Sequence, residues 1–343
     1  MKKIFLIIII CLICVIGIVF ITESNDRFVD KNLSSPILTT LPKEQDPFMS
    51  NGSETIARAP GSSNYVSADI VSPTPENMLL TYNGKPIQIE YQFMCEKACT
   101  MGLMIFVNGI LQPYKVVTSG DITTMHTVEM SDQDTKRFKL EFTPVCGEKN
   151  DKLVVIFANV YNAKVMELSG NINTFGNNQK ISQPLPWTLI LNEDCEKNDF
   201  EISTEYKKQV MTTKEMSEFI KIDNEGNRRN LLDNACIVEI REKNMLLSGK
   251  AAFTTQDTNN LNIYIYGNMT GKYKLSLYGD FKQLPINGCD YVEVDIYKNE
   301  YTIVPFTYDA KYVAQYKNLF AILAPMDFKN GLEKSASIYI TTK

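Results

Sequence analysis

From about Val71 onward, apolar and polar positions follow one another in short stretches with the spacing of strands that bury one face and expose the other. Pro86-Ile87-Gln88-Ile89-Glu90-Tyr91-Gln92-Phe93 alternates in this way, and so does Phe138-Lys139-Leu140-Glu141-Phe142. Gly102-Leu103-Met104-Ile105-Phe106-Val107 and Leu153 to Ala158 are instead almost wholly apolar, which suits strands covered on both sides. The first of these runs stops at Asn108-Gly109, the strongest two-residue hairpin signal, and a return strand would start at Ile110-Leu111-Gln112. Gly147-Glu148-Lys149-Asn150-Asp151 marks another turn. Short strands at this spacing, without helices between them, predict a mainly β chain of antiparallel, immunoglobulin-like β-sandwiches.

The last third repeats this outline. Leu275-Ser276-Leu277-Tyr278-Gly279-Asp280 answers Ile105 to Ile110, with Gly279 170 residues after Gly109. Leu319-Phe320-Ala321-Ile322 answers Val155 to Ala158, with Phe320 163 residues after Phe157. Two related sandwiches separated by a change in loop length are therefore expected, at 66–170 and 187–343, joined by a Gly, Asn, Gln and Pro-rich linker at 171–186. Lys207 to Lys221 reads as the one helix, with Thr213 as N-cap and Met216, Phe219 and Ile220 on one side.

The chain opens differently. Lys2 and Lys3 precede eighteen uncharged residues, Ile4 to Ile21, and a polar, acidic stretch follows at once. This is a membrane-targeting segment, between a signal-peptide core and a full span in length. Val19, Phe20 and Ile21 are bulky where a signal peptidase needs small residues, which favours an uncleaved transmembrane anchor at 1–21 over a cleaved signal peptide. Positive charge before the run places the N-terminus in the cytoplasm and the bulk outside, as a single-pass cell-membrane protein. Residues 22–65 are rich in Ser, Pro and Gly and read as a disordered stalk.

Composition narrows the partners. Hydrophobic residues at 44% and charged residues at 22% describe packed cores, and a net charge of -5 with no basic patch argues against nucleic acid. Six cysteines lie beyond the apolar segment: Cys95, Cys99, Cys146, Cys195, Cys236 and Cys289. In an oxidising compartment all six are disulfide candidates, and a bridge from Cys95 or Cys99 to Cys146 is the simplest. Three fall in each half, so either one bridge crosses the halves or thiols remain. The Cys95-x3-Cys99 spacing lacks the second close pair that an all-cysteine zinc site needs, so no metal or other cofactor is expected.

Catalytic signals are sparse. His126 is the single histidine, no nucleophile motif accompanies it, and an ordinary strand or loop role is expected. Glu293 and Asp295 share a strand face and could serve a glycosidase as paired acids, although alternating charge is also the normal solvent face of a sheet. Eleven of the 17 tyrosines fall in the last 80 residues. Tyrosine is a good strand residue, which favours packing, but rings with a polar tip also suit a contact surface. Tyr264, Tyr266, Tyr278, Tyr291 and Tyr297, with the Asn108-Gly109 tip, are the candidate ligand-binding residues.

Phe106-Val107-Asn108-Gly109-Ile110-Leu111-Gln112-Pro113-Tyr114 and the later turn Gly147 to Leu153 resemble membrane-anchored tandem-sandwich surface proteins of Gram-positive bacteria, whose function is uncharacterised. The resemblance implies a cell-envelope location and carries over no catalytic residue. The expected function is a non-enzymatic binding or adhesion module for a protein or glycan. The alternatives are an envelope polysaccharide hydrolase and a structural component of an envelope assembly.

Overall fold

The structure, a computed structural model, describes residues 55–58 and 65–342, apart from the short stretches 74–77, 164–179, 183–185, 197, 223–227, 233–234, 243–244, 248, 254–257, 268–269 and 310–312. The apolar segment Ile4 to Ile21 and most of the expected stalk lie outside these residues. Among the described residues no helix is long and apolar enough to cross a membrane. Within the range expected to be stalk, Thr55–Arg58 is a strand paired with Tyr65–Ser72.

Eight principal strands build the first sandwich: β1 (Tyr65–Ser72), β2 (Leu79–Tyr82), β3 (Ile87–Cys95), β4 (Cys99–Val107), β5 (His126–Met130), β6 (Thr135–Phe142), β7 (Lys152–Tyr161) and β8 (Trp187–Leu191). One sheet holds β1-β3-β6, and the other holds β2-β8-β7-β4 with β5 on the far edge of β4. The alternation legible at Ile87 to Phe93 turns Ile87, Ile89, Tyr91 and Phe93 inward, onto Phe157 and Trp187 of the facing sheet. Pairing is antiparallel throughout these strands except for β2 beside β8.

The second sandwich repeats this plan strand for strand. Its strands are β9 (Ile237–Glu242), β10 (Gly249–Phe253), β11 (Thr258–Gly267), β12 (Gly271–Gly279), β13 (Tyr291–Ile296), β14 (Glu300–Asp309), β15 (Asn318–Pro325) and β16 (Ile338–Thr342). β9-β11-β14 match β1-β3-β6, and β10-β16-β15-β12-β13 match β2-β8-β7-β4-β5, with β10 parallel to β16 as β2 is to β8. Two equivalent hairpins fix the register. Asn108 and Gly109 (φ 50° and 79°) and Asp280 and Phe281 (φ 48° and 66°) are both two-residue turns with positive φ at both positions, the geometry that matches strand twist.

This register corrects the one read from sequence. Asp280 is the equivalent of Asn108, so the offset at the hairpin is 172 residues. Val155 pairs with Val107 as Leu319 pairs with Gly279, so the offset on β7 and β15 is 164. The Phe157–Phe320 match was one residue out. Side chains alternate with period two, so that slip sets Phe157, in the first core, against Phe320, on the opposite face of its sheet.

That opposite face explains the doubly apolar runs. Met104, Phe106, Val154, Ile156, Ala158 and Val160 pack in one cluster with Tyr278, Phe281, Phe320, Ile322 and Ala324, so the two sandwiches meet through equivalent faces of β4/β7 and β12/β15. Tyr278 stacks on Phe320 at 5.4 Å, and Phe281 meets the same ring edge-on at 5.3 Å. The arrangement is a two-fold-like interface inside one chain.

Two expected boundaries move. Trp187–Leu191 is β8 of the first sandwich, and Cys195 packs in the first core, so the second sandwich begins after Cys195 rather than at 187. Within the linker range, Lys180–Ser182 pairs with β7. Of the predicted helix, Lys207–Val210 is an edge strand on β14, because Lys207 to Val210 pair with Glu300 to Ile303. The helix itself, α1, is Thr213–Glu218. Its N-cap is Thr212 rather than Thr213: Thr212 and Glu215 form a reciprocal capping box that satisfies the first amides.

Candidate functional site

The residues expected to make contacts are placed apart. Tyr278 is fully buried between the sandwiches, and Tyr291 is buried with its hydroxyl accepting from the Leu111 N–H at 3.0 Å. Tyr264, Tyr266 and Tyr301 do lie together on the outer face of β11 and β14, with ring centroids 5.4 to 6.1 Å apart. The chain covers this face itself: Met211, Phe219 and Leu232, around α1, pack on Tyr266 and Tyr301 as a satellite core. Tyr297 alone of the five is exposed, at 43%, and Lys208 sits over its ring at 4.1 Å. Gly109 is buried against the second sandwich, so the Asn108-Gly109 tip is an internal contact rather than a surface one. Rings that fill a core cannot also stack on a ligand, and this takes four of the five tyrosines out of any common binding face.

The two acids of the enzymatic alternative, Glu293 and Asp295, both lie half-buried on β13. Glu293 lies 3.7 Å from the buried ammonium of Lys274, which it partly neutralises, and Asp295 stands on the same strand with its N–H donated to Tyr206. His126 packs edge-on against Phe138 at 4.9 Å, and burial lowers its pKa.

A bridge from Cys95 or Cys99 to Cys146 is excluded by geometry. Cys99 opens β4, whereas the Cys146 thiol donates to the carbonyl of Val107 at the other end of that strand. A nine-residue strand is roughly 25 Å long, and bridged cysteines need Cα atoms within about 7 Å.

A site that the sequence did not reveal lies where the chain leaves β9 for β10. Here a cleft of about 290 Å³ runs between β9 and the short strand Glu333–Lys334, which pairs with β15. Val238, Leu246 and Leu247 line it, and Leu246 is 45% exposed.

The floor of this cleft is a sheet edge. The Leu247 N–H donates to Ile240 O, so the polar groups of Ile240 point away from β11. The carboxylate of Glu333 accepts the N–H of Cys236, so Cys236 points the same way. Alternation along a strand then aims the N–H and C=O of Val238, midway between them, into the cleft, where they have no main-chain partner among the described residues.

The charges beside this edge are poised near neutrality. Burial raises the Glu333 carboxyl to about 7 against the Cys236 hydrogen bond, and burial lowers the Lys334 ammonium to about 7. Lys334 donates to Ser337 Oγ at 2.7 Å and to Ser335 O at 3.0 Å, and lies 4.5 Å from the Phe320 ring centroid. Cys236 touches the Tyr273 hydroxyl at 3.7 Å, and burial lifts its thiol to about 11. The cleft therefore combines unpaired backbone, apolar walls and two groups that change charge near pH 7. A second groove, of about 430 Å³ along β2, has Lys85 as its one charged lining residue and no acid.

Gly331-Leu332-Glu333-Lys334-Ser335 reads as an ordinary polar turn, and nothing in Ile237 to Ile240 says that one side of the strand stays open. Both features arise only when β15 and β9 are brought together, and no local pattern could have shown them.

No family model matches the chain, and no curated protein matches it. Among solved structures, the chain aligns with a protein of unknown function from Porphyromonas gingivalis W83 at 7% identity, over 80% of this chain and 98% of that one, with a TM-score of 0.22. The fibronectin(III)-like modules of Clostridium thermocellum CbhA align at 7% identity, over 80% and 94%, with a TM-score of 0.19. A bacterial ice-binding adhesin aligns at 9% identity, over 85% and 65%, with a TM-score of 0.17. Scores this low carry no argument about fold or function. The chain is a mainly β protein built of paired, largely antiparallel sheets.

Proposed function

We propose that this chain is a membrane-anchored, extracellular binding module, non-enzymatic, whose tandem immunoglobulin-like sandwiches present the cleft beside β9 to an extended segment of a partner protein. The observation that carries the reading is the outward-pointing N–H and C=O of Val238, flanked by satisfied neighbours at Cys236 and Ile240. An added strand would pair with these groups and set alternate side chains against Leu246 and Leu247. A protein ligand is favoured over a glycan because four of the five candidate tyrosines are buried or covered, so these rings do not form a common stacking face for a sugar.

Panning a displayed peptide library on the purified full-length chain tests this. Enriched peptides are expected to alternate apolar and polar residues, and to lose at least tenfold in affinity on Leu246→Asp, which changes a half-exposed side chain and leaves the core intact. Peptides that bind this variant equally well, or no enrichment, would sink the proposal. The anchor is tested separately: the chain should stay in the membrane fraction with an intact N-terminus, whereas a new N-terminus after Ile21 would show cleavage.

A further inference from the structure

The first core contains four of the six cysteines, because Cys195 belongs to it. At one end of β4, Cys95 and Cys99 face each other across the turn from β3, close enough for their thiols to interact. That turn is held in place: Cys95 N–H donates to Asp134 O at 3.0 Å, and Ala98 N–H to Asp132 Oδ1 at 2.7 Å. At the other end, Cys195 N–H donates to Gly147 O at 3.4 Å, which brings the chain beside Cys146. Asn150 N–H to Leu191 O (2.7 Å) and Lys149 N–H to Asp194 Oδ1 (2.8 Å) clamp the same two segments. Both thiols of this second pair pack on the same core cluster. In the second sandwich, Cys236 is buried against Tyr273, and Cys289 closes a small turn with Ile286.

We propose that the first sandwich holds two oxidisable dithiols, Cys95 with Cys99 and Cys146 with Cys195, and that Cys236 and Cys289 stay as thiols. The oxidant is a small disulfide of the glutathione type, and each pair closes by two exchanges. The thiolate of the more accessible partner, Cys99 or Cys146, attacks one sulfur of the oxidant, forms a mixed disulfide and releases one glutathione. The second cysteine then attacks the protein sulfur of that mixed disulfide and releases the other glutathione. Two protein thiols and one glutathione disulfide become one protein disulfide and two glutathione thiols, which carry away both protons and both electrons. Burial, which raises Cys146 and Cys195 to about 11, makes closure of their pair accelerate with rising pH.

The full-length chain is incubated with oxidised glutathione, then unfolded, alkylated and mapped by mass spectrometry. Trypsin cuts at Lys97, so a Cys95–Cys99 bond joins two peptides. The expected result is that bond and a Cys146–Cys195 bond, with Cys236 and Cys289 alkylated. Cys195→Ser should leave Cys146 as a glutathione adduct while Cys95 and Cys99 still close. Any other pairing of the six, or adducts without closure in the unmutated chain, overturns the assignment.

Discussion

The ammonium group of Lys274 donates to the carbonyl oxygen of Asn108 at 3.3 Å, joining residues 166 positions apart. Lys274 is 3% exposed, and burial lowers its pKa while Glu293 opposes that shift. A charge so enclosed persists only where acceptors are already in place, and the hairpin tip supplies one of them. The Asn108-Gly109 turn is thus part of what holds the sandwiches together.

Gly109 measures how closely they approach. Its φ is +79°, and a Cβ there would lie 3.0 Å from the Lys274 Cβ and 3.2 Å from the Ala324 carbonyl. Gly120 has a similar φ of +77° with nothing within 4 Å. Gly120→Ala should cost about 1 kcal/mol from backbone strain alone, and Gly109→Ala should cost about 2 to 4 kcal/mol. Urea unfolding of both variants separates the two contributions, and equal losses would mean that the tip can move away.

At the equivalent turn, Phe281 combines a buried ring with a φ of +66°. Removing the ring should cost about 3 to 5 kcal/mol. Phe281→Gly should nevertheless be more stable than Phe281→Ala by about 1 kcal/mol, the reverse of the usual order, because glycine adopts this backbone without strain. Thermal or denaturant unfolding of the pair checks the sign.

Stability near neutral pH should follow Glu333 and Lys334. The carboxyl is raised from 4.5 to about 7, so its contribution is complete below about 4.5 and is lost as pH rises through 7. The ammonium is lowered from 10.5 to about 7, so its contribution is complete above about 10.5 and is lost as pH falls toward 7. Together they place a minimum of stability near pH 7. Glu333→Gln should flatten the acid limb and Lys334→Met the alkaline limb in unfolding curves taken from pH 4 to 10. An unchanged profile in both would show that neither group is held as enclosed as its surroundings indicate.

Closing the dithiols should stabilise the chain unequally. Loop-closure entropy gives about 4 kcal/mol for the roughly 50-residue loop from Cys146 to Cys195 and about 2 kcal/mol for the five-residue loop from Cys95 to Cys99. Oxidised Cys95→Ser protein should therefore keep most of the gain in urea midpoint, and oxidised Cys195→Ser protein should lose most of it.

Much of the strand pattern was legible because period-two alternation is a local property: Ile87 to Phe93 and Phe138 to Phe142 announce their inward faces without reference to any neighbour. The apolar runs at Leu103 to Val107 and Leu153 to Ala158 announced burial on both sides, and Asn108-Gly109 announced its turn. What covered the second side was not local. Only packing of the equivalent faces decided that Tyr278 and Tyr291 would be core, that Asn108-Gly109 would dock inward, and that the repeat register was 164 rather than 163 on β15. Cys195 and Trp187 went to the first sandwich because β8 found an open edge on β7, a long-range pairing that composition cannot signal. The cleft is the extreme case: the alternation of Ile237 to Ile240 makes a strand, but an open edge depends on which strands arrive beside it, and that is settled only once the chain has folded.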